Sequence, residues 1–183
     1  MFEHIKIPEE GNTISFGSDD KIIVPNNPII PFIEGDGIGF DITPVMQNVV
    51  NNAVKKAYNG KKEVHWMEIY AGDKAVQRYG KHNYLPKEPF DAMKKFVVSI
   101  KGPLTTPVGE GLRSLNVAIR QKMDLYACVR PIKYFPGTRT PLKVSDTTDM
   151  VIFRENTEDI YAGIEWAADS DDVKKVLNFL IND

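Results

Sequence analysis

A single cysteine, Cys128, stands in 183 residues. That excludes an intramolecular disulfide and fits a reducing compartment. It lies in the apolar run Leu125 to Val129, where structural burial is expected and a reactive nucleophile is the alternative. There is no basic excess: 23 Lys and Arg face 25 Asp and Glu, for a net charge of -2. Without that excess the phosphate-neutralising surface of a nucleic-acid binder is missing, and no nucleic-acid partner is expected. No apolar run approaches the about 20 residues of a membrane span. The N-terminal MFEHIKIPEEGNTISFG has no apolar signal core. The expectation is a cytoplasmic protein without a membrane partner. Repeats and low-complexity tracts are also lacking. What is there, 42% hydrophobic and 26% charged residues, suffices for one packed domain with or without an appendage.

The stretch from Lys101 to Pro131, KGPLTTPVGEGLRSLNVAIRQKMDLYACVRP, carries the densest signals. It follows the apolar run Phe96 to Ile100, read as a strand, and opens with a loop rich in Pro, Gly and Thr. The loop feeds a helical segment with Leu115, Ala118, Ile119 and Met123 on one face. Arg113, Asn116 and Arg120 fall on the opposite face. Ser114 occupies the expected N-cap. A helix start offers free N–H groups and partial positive charge. With arginines beside it, this predicts a site for carboxylate or phosphate. The competing reading is a capped surface helix with solvated arginines.

In chain order, short alternating pieces around Ile5, Ile14 and Ile22 predict a peripheral hairpin arm over residues 1 to 28. Ile29 to Ile33 is a buried strand. It ends in Glu34-Gly35-Asp36-Gly37-Ile38-Gly39, and a helix follows to about Tyr58. Its apolar stripe is Ile42, Val45, Val49, Val50, Ala53 and Ala57, and Gly60 stops it. The glycines are spaced G-x-G-x-G, not G-x-G-x-x-G, with no ribose-binding acid about 20 residues on. A tight turn needing backbone clearance is read there in place of a Rossmann site. Val64 to Tyr70 is a second strand, and Gly72 to Tyr79 and Pro86 to Lys95 are helices. Phe96 to Ile100 is the third strand. This order implies an open, largely parallel α/β sheet whose ligands bind beyond the strand carboxyl ends. Further on, Leu125 to Arg130 and Asp149 to Asn156 are apolar runs that contain or end in arginine. Ile160 to Trp166 alternates as a half-exposed strand, and Val173 to Ile181 is helical.

Arg120, Arg130 and Arg154 form a constellation. Arginine near a core is costly unless an anion pairs with it, and three guanidinium forks suit a small polyanion. The alternative is internal pairing with Asp124, Glu155 or Glu158. Tyr161 is either a proton donor tuned by nearby cations or packing.

The strings IEGDGIG, KGPLTTPVGEGLRSLNVAIRQ, DLYACVRP and TDMVIFRENTEDIYAGIEW resemble the β-decarboxylating dehydrogenases, in the branch of the bacterial NADP-dependent isocitrate dehydrogenases. The likeness runs from about Lys21 onward. It implies an α/β fold of isocitrate/isopropylmalate dehydrogenase type, not Rossmann, of which this chain holds less than half. Residues 1–124 match the first part of the cofactor-side domain, 125–157 the start of the substrate-side domain, and 158–183 the start of an arm that clasps a partner in a homodimer. The polar Ser114-Leu115-Asn116 before Arg120 matches the isocitrate branch, where isopropylmalate enzymes carry apolar side chains.

By the same resemblance, Ser114, Asn116, Arg120, Arg130 and Arg154 bind isocitrate and Tyr161 protonates the product carbon. Thr105 and Lys101 border NADP near its nicotinamide. The implied reaction is oxidative decarboxylation of isocitrate to 2-oxoglutarate, as in the tricarboxylic acid cycle. It employs Mg2+ or Mn2+, whose ligands the resemblance places outside this chain, so that 1–183 alone is expected to be inactive. Ser114 also matches a serine addressed by a kinase and phosphatase. The alternatives are a non-catalytic module binding tricarboxylates or a partner chain, and a sister β-decarboxylating dehydrogenase.

Overall fold

The structure, a computed structural model, describes residues 2–105, 114–143, 146–158 and 162–182. It divides into two compact units, residues 1–119 and 120–183.

The first unit is built on a three-stranded sheet. Strand β3 (Ile29–Ile33) lies between β4 (His65–Glu68) and β5 (Ile100–Lys101), and both pair with it in parallel. Ahead of it, β1 (Ser15–Phe16) and β2 (Ile22–Ile23) form the predicted exposed antiparallel hairpin. Ile5 is buried without belonging to a strand. The crossovers carry α1 (Gly39–Ala57), α2 (Asp73–Tyr79) and α3 (Lys87–Phe96). Such intervening helices are what parallel pairing requires. The core gathers Ile29, Ile33, Met67, Ile69, Phe90, Met93 and Phe96. Asp41 in the first turn of α1 and Lys55 and Lys56 in its last complement the helix dipole.

The apolar stripe of α1 forms on a helix, and Ile42, Val45 and Val49 are exposed, at 47%, 62% and 62%. The buried residues of α1 are Gly39 and Thr43, at the turn that abuts the end of β3. One expectation needs correction here: the third strand is shorter than its apolar run. Phe96 completes α3, with its side chain in the core. Val97 follows at φ +68, and Val98 N–H donates to Phe96 C=O at 2.7 Å. That is a γ-turn about a β-branched residue, which breaks the run before β5 begins.

Helix α4 (Leu115–Lys122) spans the division between the units. In the second unit β6 (Ala127–Lys133) and β7 (Asp149–Glu155) pair antiparallel over their whole length, Ala127 opposite Glu155 and Lys133 opposite Asp149. β6 therefore runs past Arg130, where its apolar run was read to end, and through Pro131. Residues 162–166 form no strand. Among the described residues, no neighbouring strand pairs with them. The final helix, α5 (Asp171–Asn182), is capped by Ser170, whose hydroxyl accepts Val173 N–H at 3.2 Å. Among the described residues, no helix is long and apolar enough to cross a membrane.

Candidate functional site

The carboxyl end of the parallel sheet is made of two loops pressed together. One is the turn after β3, the other the segment after β5. A Cβ on Gly102 would lie 1.9 Å from Glu34 O, and one on Gly35 would lie 2.2 Å from Pro103 O. Gly35 also has φ +93, where side chains are strained. Gly35 and Gly102 thus admit a neighbouring backbone, as the tight-turn reading requires. Asp36 N–H donates to Pro103 C=O at 2.7 Å and Gly102 N–H to Ile33 C=O at 2.7 Å. Thr43 ties α1 to the same place by donating its hydroxyl to Glu34 C=O at 2.9 Å.

The predicted cofactor-side residues stand at this end. Lys101 closes β5, is exposed, and donates from Nζ to Gly102 C=O at 2.7 Å. Thr105 is exposed, and its N–H donates to Asp36 Oδ2 at 2.8 Å. An exposed ammonium and hydroxyl beside strand ends make a donor set that fits the polar groups of a nucleotide cofactor.

A second feature here was absent from the sequence reading. Lys74 of α2 reaches Glu34 Oε2 and Glu68 Oε1, both at 2.5 Å, at the ends of β3 and β4. Partial burial works to lower the Lys74 pKa, but hydrogen bonds and charge from Glu34 and Glu68 outweigh it and raise the pKa. No local spacing announces the triad, because its members come from three elements.

Ser114 is at the N-cap position of α4 by its backbone, since its carbonyl accepts Ala118 N–H at 3.0 Å. Leu115 and Ile119 form the buried face of α4. Asn116 and Arg120, one turn apart, are half-buried. Arg113 and Tyr161 lie outside the described residues.

In the second unit the ribbon register settles the strand arginines. Cys128 pairs with Arg154 and Arg130 with Ile152. Paired residues share a face, as do residues two apart. Arg130, Cys128 and Arg154 therefore lie on one face of the ribbon. Arg130 Nε donates to Cys128 Sγ at 3.2 Å. Cys128 is half-buried, contrary to the burial expected of its apolar run, because a two-stranded ribbon leaves both faces open. Among the described residues, Arg120 and Arg130 make no ion pair. The Glu155 carboxylate is engaged by Thr157 N–H and hydroxyl, at 2.5 and 2.7 Å, and by Glu158 N–H at 2.9 Å. It thereby serves its own turn. Asn156, buried, locks the ribbon end through its N–H to Tyr126 C=O at 3.0 Å.

Residues for a divalent metal fit poorly. Among the described residues, Glu10, Glu63 and His65 bring potential ligand atoms within 4.8 Å of one another. They lie at the amino end of β4, opposite the strand ends that carry Lys101 and Thr105. That is the wrong end of the sheet for chemistry with a cofactor held there.

A family profile described as isocitrate/isopropylmalate dehydrogenase matches residues 29–179. The chain belongs to the isocitrate/isopropylmalate dehydrogenase family. An isocitrate dehydrogenase (NADP) of this family from Pseudomonas aeruginosa is 57% identical over 179 residues, covering 98% of this chain and 43% of the relative. The corresponding protein of Coxiella burnetii is 60% identical over 165 residues, 90% of this chain and 38% of the relative. A crystal structure of isocitrate dehydrogenase from Methylococcus capsulatus superimposes with a TM-score of 0.61 at 42% identity. It matches 79% of this chain, which covers 39% of that structure. The chain thus spans less than half the length of these relatives. Its fold is that of an isocitrate/isopropylmalate dehydrogenase, the helices and parallel sheet described above forming part of it.

Proposed function

We propose that this chain supplies the isocitrate-binding arginines and part of the NADP-binding side of an NADP-dependent isocitrate dehydrogenase. The observation that carries this reading is the shared ribbon face of Arg130 and Arg154, with Arg130 free of any carboxylate among the described residues. Cations so placed are suited to an external polyanion. The names of the relatives support the substrate and cofactor. The polar Ser114 and Asn116 at the start of α4 favour a third carboxylate over an alkyl group.

In this reading Arg120, Arg130 and Arg154 hold substrate carboxylates. Ser114 and Asn116 bind the carboxylate nearest the helix start, where the dipole favours negative charge. Lys101 and Thr105 border NADP, which when bound supplies the hydride acceptor. Tyr161 delivers a proton to the carbon that has lost carbon dioxide. A divalent metal, Mg2+ or Mn2+, belongs to the reaction by family resemblance, and its ligands are assigned to no residue of this chain. Ser114 is also the proposed target of a regulatory kinase and phosphatase. Residues 158–183 begin the clasp of a homodimer, a role supported by Leu180 and Ile181 of α5, 69% and 77% exposed. A cytoplasmic location is proposed from the composition alone.

The test is substrate selectivity in the full-length protein. Isocitrate is expected to bind well ahead of 3-isopropylmalate, and Asn116→Leu to narrow the gap by about tenfold, as one misplaced polar group does. Preference for isopropylmalate would place the chain in the sister branch. Binding without NADP reduction in the presence of Mg2+ and Mn2+ would favour a tricarboxylate-binding module.

A further inference from the structure

Asp36 sits between two glycines and reads in sequence as part of a turn. In the structure it is 7% exposed. Its Oδ1 accepts Asp73 N–H at 2.9 Å and its Oδ2 accepts Thr105 N–H at 2.8 Å. Its own N–H donates to Pro103 C=O. One carboxylate thus joins three segments: the turn after β3, the start of α2, and the loop after β5. Asp73 N–H is one of the free donors at the start of α2, whose N-cap, Gly72, has no side chain to cap it. The site is shaped around this carboxylate, for a Cβ on Gly72 would fall 2.4 Å from Asp36 Oδ2.

We propose that Asp36 is a positioning residue for cofactor binding: its buried carboxylate clamps the backbone at Thr105 and holds that residue at the carboxyl end of the sheet. The proposal rests on the reading of Thr105 as a cofactor contact. Among the described residues, Gly102 N–H and the 103 carbonyl are held on one side, Leu104 is buried, and the Thr105 N–H bond to Asp36 is the last backbone tie before residue 106. Removing it frees Thr105 without touching an exposed side chain.

Asp36→Asn in the full-length protein tests this. Asparagine keeps the shape and one acceptor but turns an amide N–H2 toward the other backbone donor. Three quantities are read: amide hydrogen exchange at Thr105, the Kd of NADP, and the Kd of isocitrate. Exchange at Thr105 should quicken and NADP should bind about tenfold more weakly, as loss of a charge-assisted hydrogen bond implies. Isocitrate should bind within about twofold of the parent. Asp36→Glu, which keeps the charge on a longer stem, should fall between the two. It replaces Asp36→Asn as the test should that variant not fold. Faster exchange with unchanged NADP affinity would overturn the proposal and leave Asp36 a purely structural tie. Unchanged exchange would overturn the clamp itself. Thr105→Ala separates the two claims. If it leaves NADP affinity intact, the cofactor reading of Thr105 fails, and the proposal with it, while exchange at Thr105 in Asp36→Asn still judges the clamp.

Discussion

Replacing Ser114 by aspartate separates its role as a cap from its role as a ligand. The Ser114 carbonyl accepts the first bond of α4, from Ala118 N–H at 3.0 Å, so the side chain stands at the helix start. Aspartate caps a helix about as well as serine. A negative charge there is favourable by about 0.3–1 kcal/mol. Ser114→Asp should therefore fold with unchanged or slightly raised stability. Binding should respond in the opposite sense. A substrate carboxylate at ~5 Å from the new carboxylate, at an effective dielectric of ~20, is repelled by about 3 kcal/mol. That is a hundredfold or more in Kd. A phosphate on Ser114, carrying about -1.5 to -2 charge, should do at least as much. Ser114→Ala is the converse: it should lose about 1 kcal/mol of stability with the cap and keep isocitrate binding within a few fold. Thermal denaturation and isocitrate titration calorimetry on the same samples read both axes. Parental isocitrate affinity in Ser114→Asp would refute the anion pocket and leave Ser114 only a cap.

Gly102→Ala should cost more than about 2 kcal/mol in chemical denaturation, because its Cβ meets Glu34 backbone at 1.9 Å and neither loop can yield. Glu88 of α3, 15% exposed at its side chain, takes the N–H groups of Glu3 and His4 and the Tyr79 hydroxyl, the last at 2.5 Å. Its burial works to raise its pKa, but these bonds prevail and hold it below the usual carboxylate range. A depressed folded pKa gives stability that is present above the unfolded value and lost as pH falls through the folded one. Protection of the amides of residues 3 and 4, relative to the intrinsic exchange rate at each pH, should therefore fall on acidification below the ordinary glutamate range, and Glu88→Gln should abolish that dependence. Tyr161→Phe in the full-length protein should lower turnover with little change in isocitrate affinity. A rise in KM alone would reject the proton-donor role.

The parallel sheet was legible because apolar runs such as Ile29 to Ile33 stop at glycine turns, and helical spacing fills the gaps. Periodicity reports a helix but not its cover: the stripe of Ile42, Val45 and Val49 was read correctly as helical, and its exposure was not legible. The run at Phe96 misled because its first residue belongs to the core face of α3 and Val97 takes a positive φ. Arg130 and Arg154 were legible at or near the ends of apolar runs. Their common face was not, since it depends on register. Asp36 escaped notice because its partners lie 37 and 69 residues away.

Isocitrate calorimetry on the full-length protein, parent against Arg130→Ala, bears most directly on the central claim. Arg130 is exposed and makes no ion pair among the described residues, so its removal should leave stability within about 0.5 kcal/mol. Truncating one partner of a charge pair should weaken binding by about 2–5 kcal/mol. A parent that binds isocitrate and an Arg130→Ala variant that folds alike yet binds at least about thirtyfold more weakly is the predicted result. Equal affinity in the two proteins, or no binding by the parent, would contradict it.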